Sequence, residues 1–179
     1  MPNVKHYVLT SITLGAIALV SAAAIGLTNM FTNKQIAQNE ENKTNLAISD
    51  IFGEGASIAK ESKLEDFEIE NNYSYLGTVY TVNLGEDLLG YGFRTSGSNA
   101  YGKIVLIVGF TVATNSFKGL YAVVNEQSYA STLVDNYLTP LNAGERNVDD
   151  VSCGATYGAK LVRDMVNEAQ DAVSKINKV

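Results

Sequence analysis

The sequence is poor in the residues from which most active sites are built. Its 179 residues include one cysteine, Cys153, and one histidine, His6. A single thiol excludes an internal disulfide. A lone histidine beside the amino terminus excludes a Ser/His/Asp triad or a His/Cys zinc site assembled by this chain alone. Tryptophan is absent and proline occurs twice. The glycine-containing words GYGF (90–93) and GSNAYG (97–102) match no phosphate-loop spacing, so neither indicates a nucleoside triphosphate site. Basic charge is also scarce. Thirteen Lys and Arg face nineteen Asp and Glu, a net charge of −6. Lys5 is the only charged side chain before Lys34, so the portion after Asn33 holds twelve basic against nineteen acidic residues, or −7. Such a surface repels nucleic acid. With 46% apolar and 18% charged residues, the composition is that of one compact domain, not of collagen, a disordered tail or a disulfide miniprotein.

What is present begins with a long apolar run. From Tyr7 to Phe31 there are 25 residues without a charged side chain. As a helix the run is about 37 Å long, enough to cross a hydrocarbon core of roughly 30 Å with some tilt. Gly15, Ala18, Ala22 and Gly26 recur at spacings of three and four, a flat face suited to packing against other membrane helices. A cleaved signal peptide is the alternative, with small residues at 21–24 as a processing site. The run exceeds the roughly 7 to 15 apolar residues of a signal segment, however, so a retained anchor over residues 1–32 is expected. Lys5 and the free amino terminus precede the run, and Lys34 and Lys43 after it are diluted by Glu40 and Glu41. The expected topology is amino terminus in the cytoplasm, body on the extracytoplasmic side of the cell membrane.

Residues 33–56 are polar with a partial stripe at Ile36, Leu46, Ile48, Ile51 and Phe52, closed by Gly53 and Gly55; they read as a helical stalk that docks on the domain. The segments FEIE, YLGTVYTVNL, LLGYGFRTS, KIVLIVGFTVAT and KGLYAVVN, between Phe67 and Asn125, are rich in Val, Ile, Tyr and Phe and separated by turn residues. They predict a twisted antiparallel sheet. Ile104 to Val108 is apolar on both faces and predicts a covered central strand. Residues 130–148 read as a short helix and a loop. Leu161, Val162, Met165, Val166, Ala169, Ala172, Val173 and Ile176 predict an amphipathic helix over 157–177. The fold class is therefore α+β: one amino-terminal transmembrane helix, a stalk, then over 57–179 an antiparallel sheet flanked by helices, with an amphipathic carboxy-terminal helix.

The segment Asp149 to Lys160, DDVSCGATYGAK, joins a loop to that last helix. Gly154 and Ala155 leave the backbone open to approach, Thr156 is a favourable N-cap, and the N–H groups of Tyr157, Gly158 and Ala159 are expected as unpaired helix-start donors. An anion beside Thr156 would be stabilised there. From these residues alone, the commoner role of Ser152, Thr156 and the glycines is simply to cap the helix and turn the chain into it.

The heptad Asp150, Val151, Ser152, Cys153, Gly154, Ala155, Thr156 resembles the flavinylation motif of the FMN-binding domain family: Asp, two variable residues, Ser or Thr, then Gly, Ala, Thr. In that family the last Thr carries FMN through a phosphoester bond made by a dedicated flavin transferase that uses FAD. The resemblance makes Thr156 the attachment residue and residues 57–179 an FMN-binding domain. Members include the G subunit of the Rnf ferredoxin:NAD oxidoreductase complex and, as a relative, the C subunit of the sodium-pumping NADH:quinone reductase. Both share the layout of one span, a polar linker, a mixed sheet and the motif opening the last helix. Cys153 stands where the family has Ser or Thr, with the hydroxyl of Ser152 adjacent. Ala100, Tyr101, Gly102 stand for a Gly-Tyr-Gly word. Glu126, Gln127, Ser128, Tyr129, Ala130 stand for a Glu-Thr-Pro-Gly-Leu-Gly loop that packs near the flavin.

The resemblance implies a membrane-anchored electron-transfer subunit of an ion-translocating Rnf-type complex, with other membrane subunits as partners. A covalent flavin does its own redox chemistry, so the protein need supply no acid, base or metal, and no catalysis is expected from the chain alone. The expected cofactor-site residues are Thr156, Ser152, Cys153, Gly154, Ala155, Tyr101, Gly102, Glu126, Gln127 and Tyr129. Tyr101, Tyr129 and Tyr157 are candidates to stack on the ring, with ordinary packing as their alternative. Other readings of the chain are the C subunit of the sodium-pumping reductase, a free-standing extracytosolic FMN carrier, and a non-redox anchored binding or assembly domain.

Overall fold

The structure, a computed structural model, describes residues 4–69 and 72–176. They form two compact units, Met1–Asn42 and Lys43–Val179. Helix α1, Val4–Phe52, contributes to both.

In the first unit, Tyr7–Met30 is a helical stretch of 24 residues with a mean hydropathy of 2.2, long and apolar enough to cross a membrane. Its threonines suit that setting. Thr13 Oγ1 donates to the Leu9 carbonyl at 2.9 Å and Thr28 Oγ1 to the Ala24 carbonyl at 2.9 Å. Each hydroxyl is thus satisfied within the helix instead of demanding water.

The second unit is built on a five-stranded antiparallel sheet in sequence order: β1 (Ser57–Ser62), β2 (Leu76–Leu84), β3 (Asp87–Asn99), β4 (Gly102–Thr111) and β5 (Phe117–Asn125). The expected sheet is therefore present. The segment FEIE is not one of its strands: Leu64–Phe67 is a 3-10 turn, closed by a bond from the Lys63 amide to Asp66 Oδ2 at 2.8 Å and followed by Glu68 at φ +57°. Leu64 and Ile69 are buried in the core, so the apolar content of this segment fills the sheet face without pairing. The strand not expected from sequence is β1. Its residues SIAKES are mostly exposed and lack alternation, as an edge strand allows.

Strand β4 is an interior strand between β3 and β5, and its alternate residues face two separate cores. Ile104, Leu106, Val108 and Phe110 join the cluster under helix α4 (Thr156–Ile176), while Val105 and Ile107 join Ala47, Ile48, Ile51, Tyr80, Val82 and Val123 under the end of α1. The apolar stretch 104–108 is thus covered on both faces, as its composition requires. Helix α4 buries ten residues, including Leu161, Val162, Met165, Val166 and Val173. At the free edge of β5, short helices α2 (Ala130–Leu133) and α3 (Thr139–Asn142) flank a π-turn, Val134–Leu138. Asn142 there accepts from the Leu120 amide and donates to the Leu120 carbonyl, both at 2.8 Å, and so caps backbone that would otherwise be an open edge.

The α1 end lies on the sheet because three strands carry glycine beneath it. Gly92 pairs with Gly109, and Gly109 with Gly119. A Cβ on Gly109 would sit 2.4 Å from Ile51 Cγ2, and one on Gly92 3.0 Å from Ile48 Cδ1. The docked face of α1 is Thr44, Ala47, Ile48 and Ile51; Leu46, which the stripe included, is exposed, and so is Ile36. Gly109→Ala should therefore destabilise the second unit by about 2 kcal/mol through overpacking. The loss should be smaller when Ile51→Ala is also present. Denaturant unfolding of the detergent-solubilised chain measures both, and strictly additive losses would contradict direct packing of Ile51 on Gly109.

Candidate functional site

Three chain segments meet at one end of the sheet: the β3–β4 turn, the loop after β5 and the first turn of α4. They enclose a cleft of about 250 Å³ lined by Tyr101, Gln127, Tyr129, Gly154, Ala155, Thr156, Tyr157 and Gly158. That is just under the roughly 300–1,000 Å³ of ordinary ligand pockets, so a ligand of that size would remain partly in solvent. Six of the ten residues expected from sequence are brought together here. Gly102 lies behind the lining. Its φ of +135° suits glycine alone, and a Cβ would meet the Glu126 carbonyl oxygen at 2.1 Å. The remaining three stand apart from it: Ser152 and Glu126 are exposed, and Cys153 is buried in the α4 core.

The cleft floor is held by two amides that sequence reading did not connect. Asn99 Oδ1 accepts from the Tyr101 amide at 2.8 Å, and its Nδ2 donates to the Tyr157 carbonyl at 3.2 Å. Gln127 Nε2 donates to Asn99 Oδ1 at 3.1 Å and to the Gly102 carbonyl. Asn99 thereby ties the β3–β4 turn to α4, and buried Gln127 ties both to the loop after β5. Ser128 adds a backbone bond to the Tyr101 carbonyl at 2.9 Å. Above this floor the tyrosines are open to solvent: Tyr101 is 40%, Tyr129 58% and Tyr157 63% exposed. Tyr101 and Tyr157 stack at 5.3 Å between centroids with 27° between planes, and Lys160 Nζ lies 5.8 Å from the centre of the Tyr157 ring.

Thr156 is the first residue of α4 and not its N-cap. The first helical bond runs from the Ala159 amide to the Ala155 carbonyl at 3.0 Å, which makes Ala155 the cap. The expected unpaired donors accordingly shift by one residue, to the N–H groups of Thr156, Tyr157 and Gly158. This frees the Thr156 hydroxyl from capping. It is half-buried in the lining and makes no hydrogen bond among the described residues. Gly154, at φ +84°, lets the chain enter the helix in this way.

The loop leading to Thr156 is anchored on the π-turn. Asn136 Nδ2 donates to the Cys153 carbonyl at 3.1 Å, and the hydroxyl of fully buried Tyr137 donates to the Val148 carbonyl. Arg146 Nη1 donates to the Asp150 carbonyl at 2.8 Å and the Ser152 carbonyl at 3.2 Å, and pairs with Asp150 Oδ2 at 3.1 Å. Among the described residues there is no cluster of three or more His, Cys, Asp or Glu able to hold a metal.

Residues 1–51 match the family model of the RnfG N-terminal region. Over this segment the chain is similar to RnfG. The match supports an Rnf-type subunit in general and, with the apolar helix at Tyr7–Met30, fits a single-pass membrane protein. The RnfG-like segment ends within α1, ahead of the sheet and the cleft. No curated protein matches the chain.

Burial pushes the Tyr137 hydroxyl up to about 12 from an ordinary 10, and burial also raises Tyr73 and Tyr80. The folded chain then holds these protons more tightly than the unfolded one. Their contribution to stability is full below about pH 10 and is lost as pH rises toward 12. We expect unfolding free energy to fall across that window, by up to about 3 kcal/mol from Tyr137. Tyr137→Phe should flatten the fall to what the other raised groups, Tyr73, Tyr80 and Lys175, supply. An identical slope in that variant, measured by denaturation from pH 9 to 12, would refute the assignment.

Proposed function

We propose that this chain is a membrane-anchored flavoprotein subunit of an Rnf-type, ion-translocating electron-transport complex, with FMN attached covalently to Thr156. One observation carries the reading. Thr156 offers a hydroxyl free of protein partners at the first position of a 21-residue helix, in a cleft walled by exposed tyrosines. The motif that ends at Thr156 resembles that of the FMN-binding domain family, and the RnfG match at the amino terminus favours the Rnf type over the other readings.

The residues present fit such a group. Attachment joins Thr156 Oγ1 to the riboflavin-side phosphorus of FAD; the diphosphate P–O bond breaks, AMP leaves with the bridging oxygen, and the hydroxyl proton passes to the transferase or solvent. The product would be a phosphodiester, and the N–H groups of Thr156, Tyr157 and Gly158 at the positive end of α4 would hold its charge. Gly154 and Ala155 leave room for it. Bound FMN supplies reversible electron transfer. Tyr101, Tyr129 and Tyr157 offer apolar faces to the ring, while Asn99 and Gln127 keep the two tyrosine-bearing turns at a fixed spacing. A cleft this shallow would leave part of the ring exposed, which suits a relay between neighbouring redox centres. Gly102 serves by letting the Glu126 backbone approach; Ser152, Cys153 and Glu126 act on the loops rather than on the ring.

Thr156→Val, produced together with a flavin transferase, should lose denaturation-resistant flavin fluorescence and the FMN mass increment. Persistent fluorescence, or its mapping to Ser152, would sink the attachment claim.

The sheet unit is proposed to lie on the extracytoplasmic side, since no basic cluster follows the span to hold it inside. Protease added to intact cells should digest it, and full protection until the membrane is broken would reverse the topology.

A further inference from the structure

We propose that Arg146 is a positioning residue for the modification of Thr156; the inference rests on Thr156 being the attachment residue. Arg146 lies outside the cleft lining, so any influence it has runs through the loop it holds. One guanidinium nitrogen, Nη1, bridges the Asp150 and Ser152 carbonyls and the Asp150 carboxylate. Asp150 Oδ1 in turn accepts from the Ser152 amide at 3.4 Å, and Asn147 Oδ1 accepts from the Asp149 amide at 3.0 Å. The guanidinium carbon lies 6.0 Å from the centre of the buried Tyr137 ring, and the Arg146 side chain is 20% exposed against 57% for Asp150.

These contacts give the motif's Asp150 a function that its sequence position alone does not disclose. It is part of a ring of polar contacts that fixes the peptide orientations at 150–152, a few residues before the reacting hydroxyl. An enzyme that must bring Thr156 Oγ1 in line with a diphosphate phosphorus is sensitive to displacements of about 1 Å at that oxygen. Arginine suits the position because its weakly hydrated planar head lies near the Tyr137 ring while Nη1 serves two carbonyls and a carboxylate. Lysine carries the charge as a strongly hydrated point without that planar head.

The test uses the full chain in detergent, purified without flavin, then supplied with FAD, Mg²⁺ and a flavin transferase. The initial rate of covalent incorporation is read against chain concentration. Arg146→Gln should lower the rate at least tenfold while its melting transition stays cooperative, and Arg146→Lys should fall between. Glu168→Gln is the stability control. It weakens the bonds from the Ser74 and Tyr75 amides to the Glu168 carboxylate, three turns further along α4, and should be modified at the unaltered rate. Equal rates for Arg146→Gln and the unaltered chain would overturn the inference while leaving the Thr156 reading intact. An equal loss in Glu168→Gln would overturn it too, by making the effect one of stability. No incorporation into the unaltered chain would overturn the Thr156 reading and this inference with it.

Discussion

The contact of Ile51 with the bare backbone of Gly109 decides much of this structure. A sheet with β4 apolar on both sides cannot stand with one side in water, and α4 covers only one. The second cover is the end of α1, and a helix carrying Ile48, Ile51 and Phe52 can lie that close only where strands lack side chains. Gly92, Gly109 and Gly119, aligned across three strands, provide the space. Both faces are then closed and β4 becomes a fixed interior beam. The β3–β4 turn, with Tyr101 at its tip, extends from that beam, so the position of one cleft wall follows from packing on the far face.

The cleft itself belongs to no single element. Its walls come from a hairpin turn, a loop and a helix start, and two side-chain amides, Asn99 and Gln127, hold the three in register. The π-turn plays the corresponding part for the loop before α4, by presenting Asn136 and Tyr137 to it. One wider turn sets these two adjacent side chains against the same loop, consistent with the use of such turns near functional sites. The helix start is thereby left with a free hydroxyl and three free amides.

Periodic burial is what made the fold readable. Strands β2 to β5 and the α4 stripe announce themselves through spacing, because each repeats a face, while the charge-free run announces itself by length and apolarity alone. Strand β1 did not, since SIAKES pairs at an edge with little to bury, and FEIE misled because its apolar residues enter the core from a turn. The site divided along the same line. Gly154, Ala155 and Thr156 were legible as a motif, and Tyr101, Gln127 and Tyr129 through the words around them. Asn99, Asn136 and Arg146 were not, because one amide or guanidinium reaching across to a distant carbonyl leaves no repeat in the sequence. Thr156 was expected one position too early in helix terms: the choice between cap and first turn depends on which carbonyl receives the Ala159 amide.

The strand order also bears on how the molecule is made. Every pairing in the sheet joins consecutive strands, so each can form as soon as its second partner leaves the ribosome, with little loop entropy to overcome. The α1 end, synthesised first, is available to cover one face from the start. The other face waits for α4, the last described element, which brings nine core residues and Thr156 on one helix. Completion of the hydrophobic core and completion of the cleft are therefore a single event, and a nascent or truncated chain without α4 has neither.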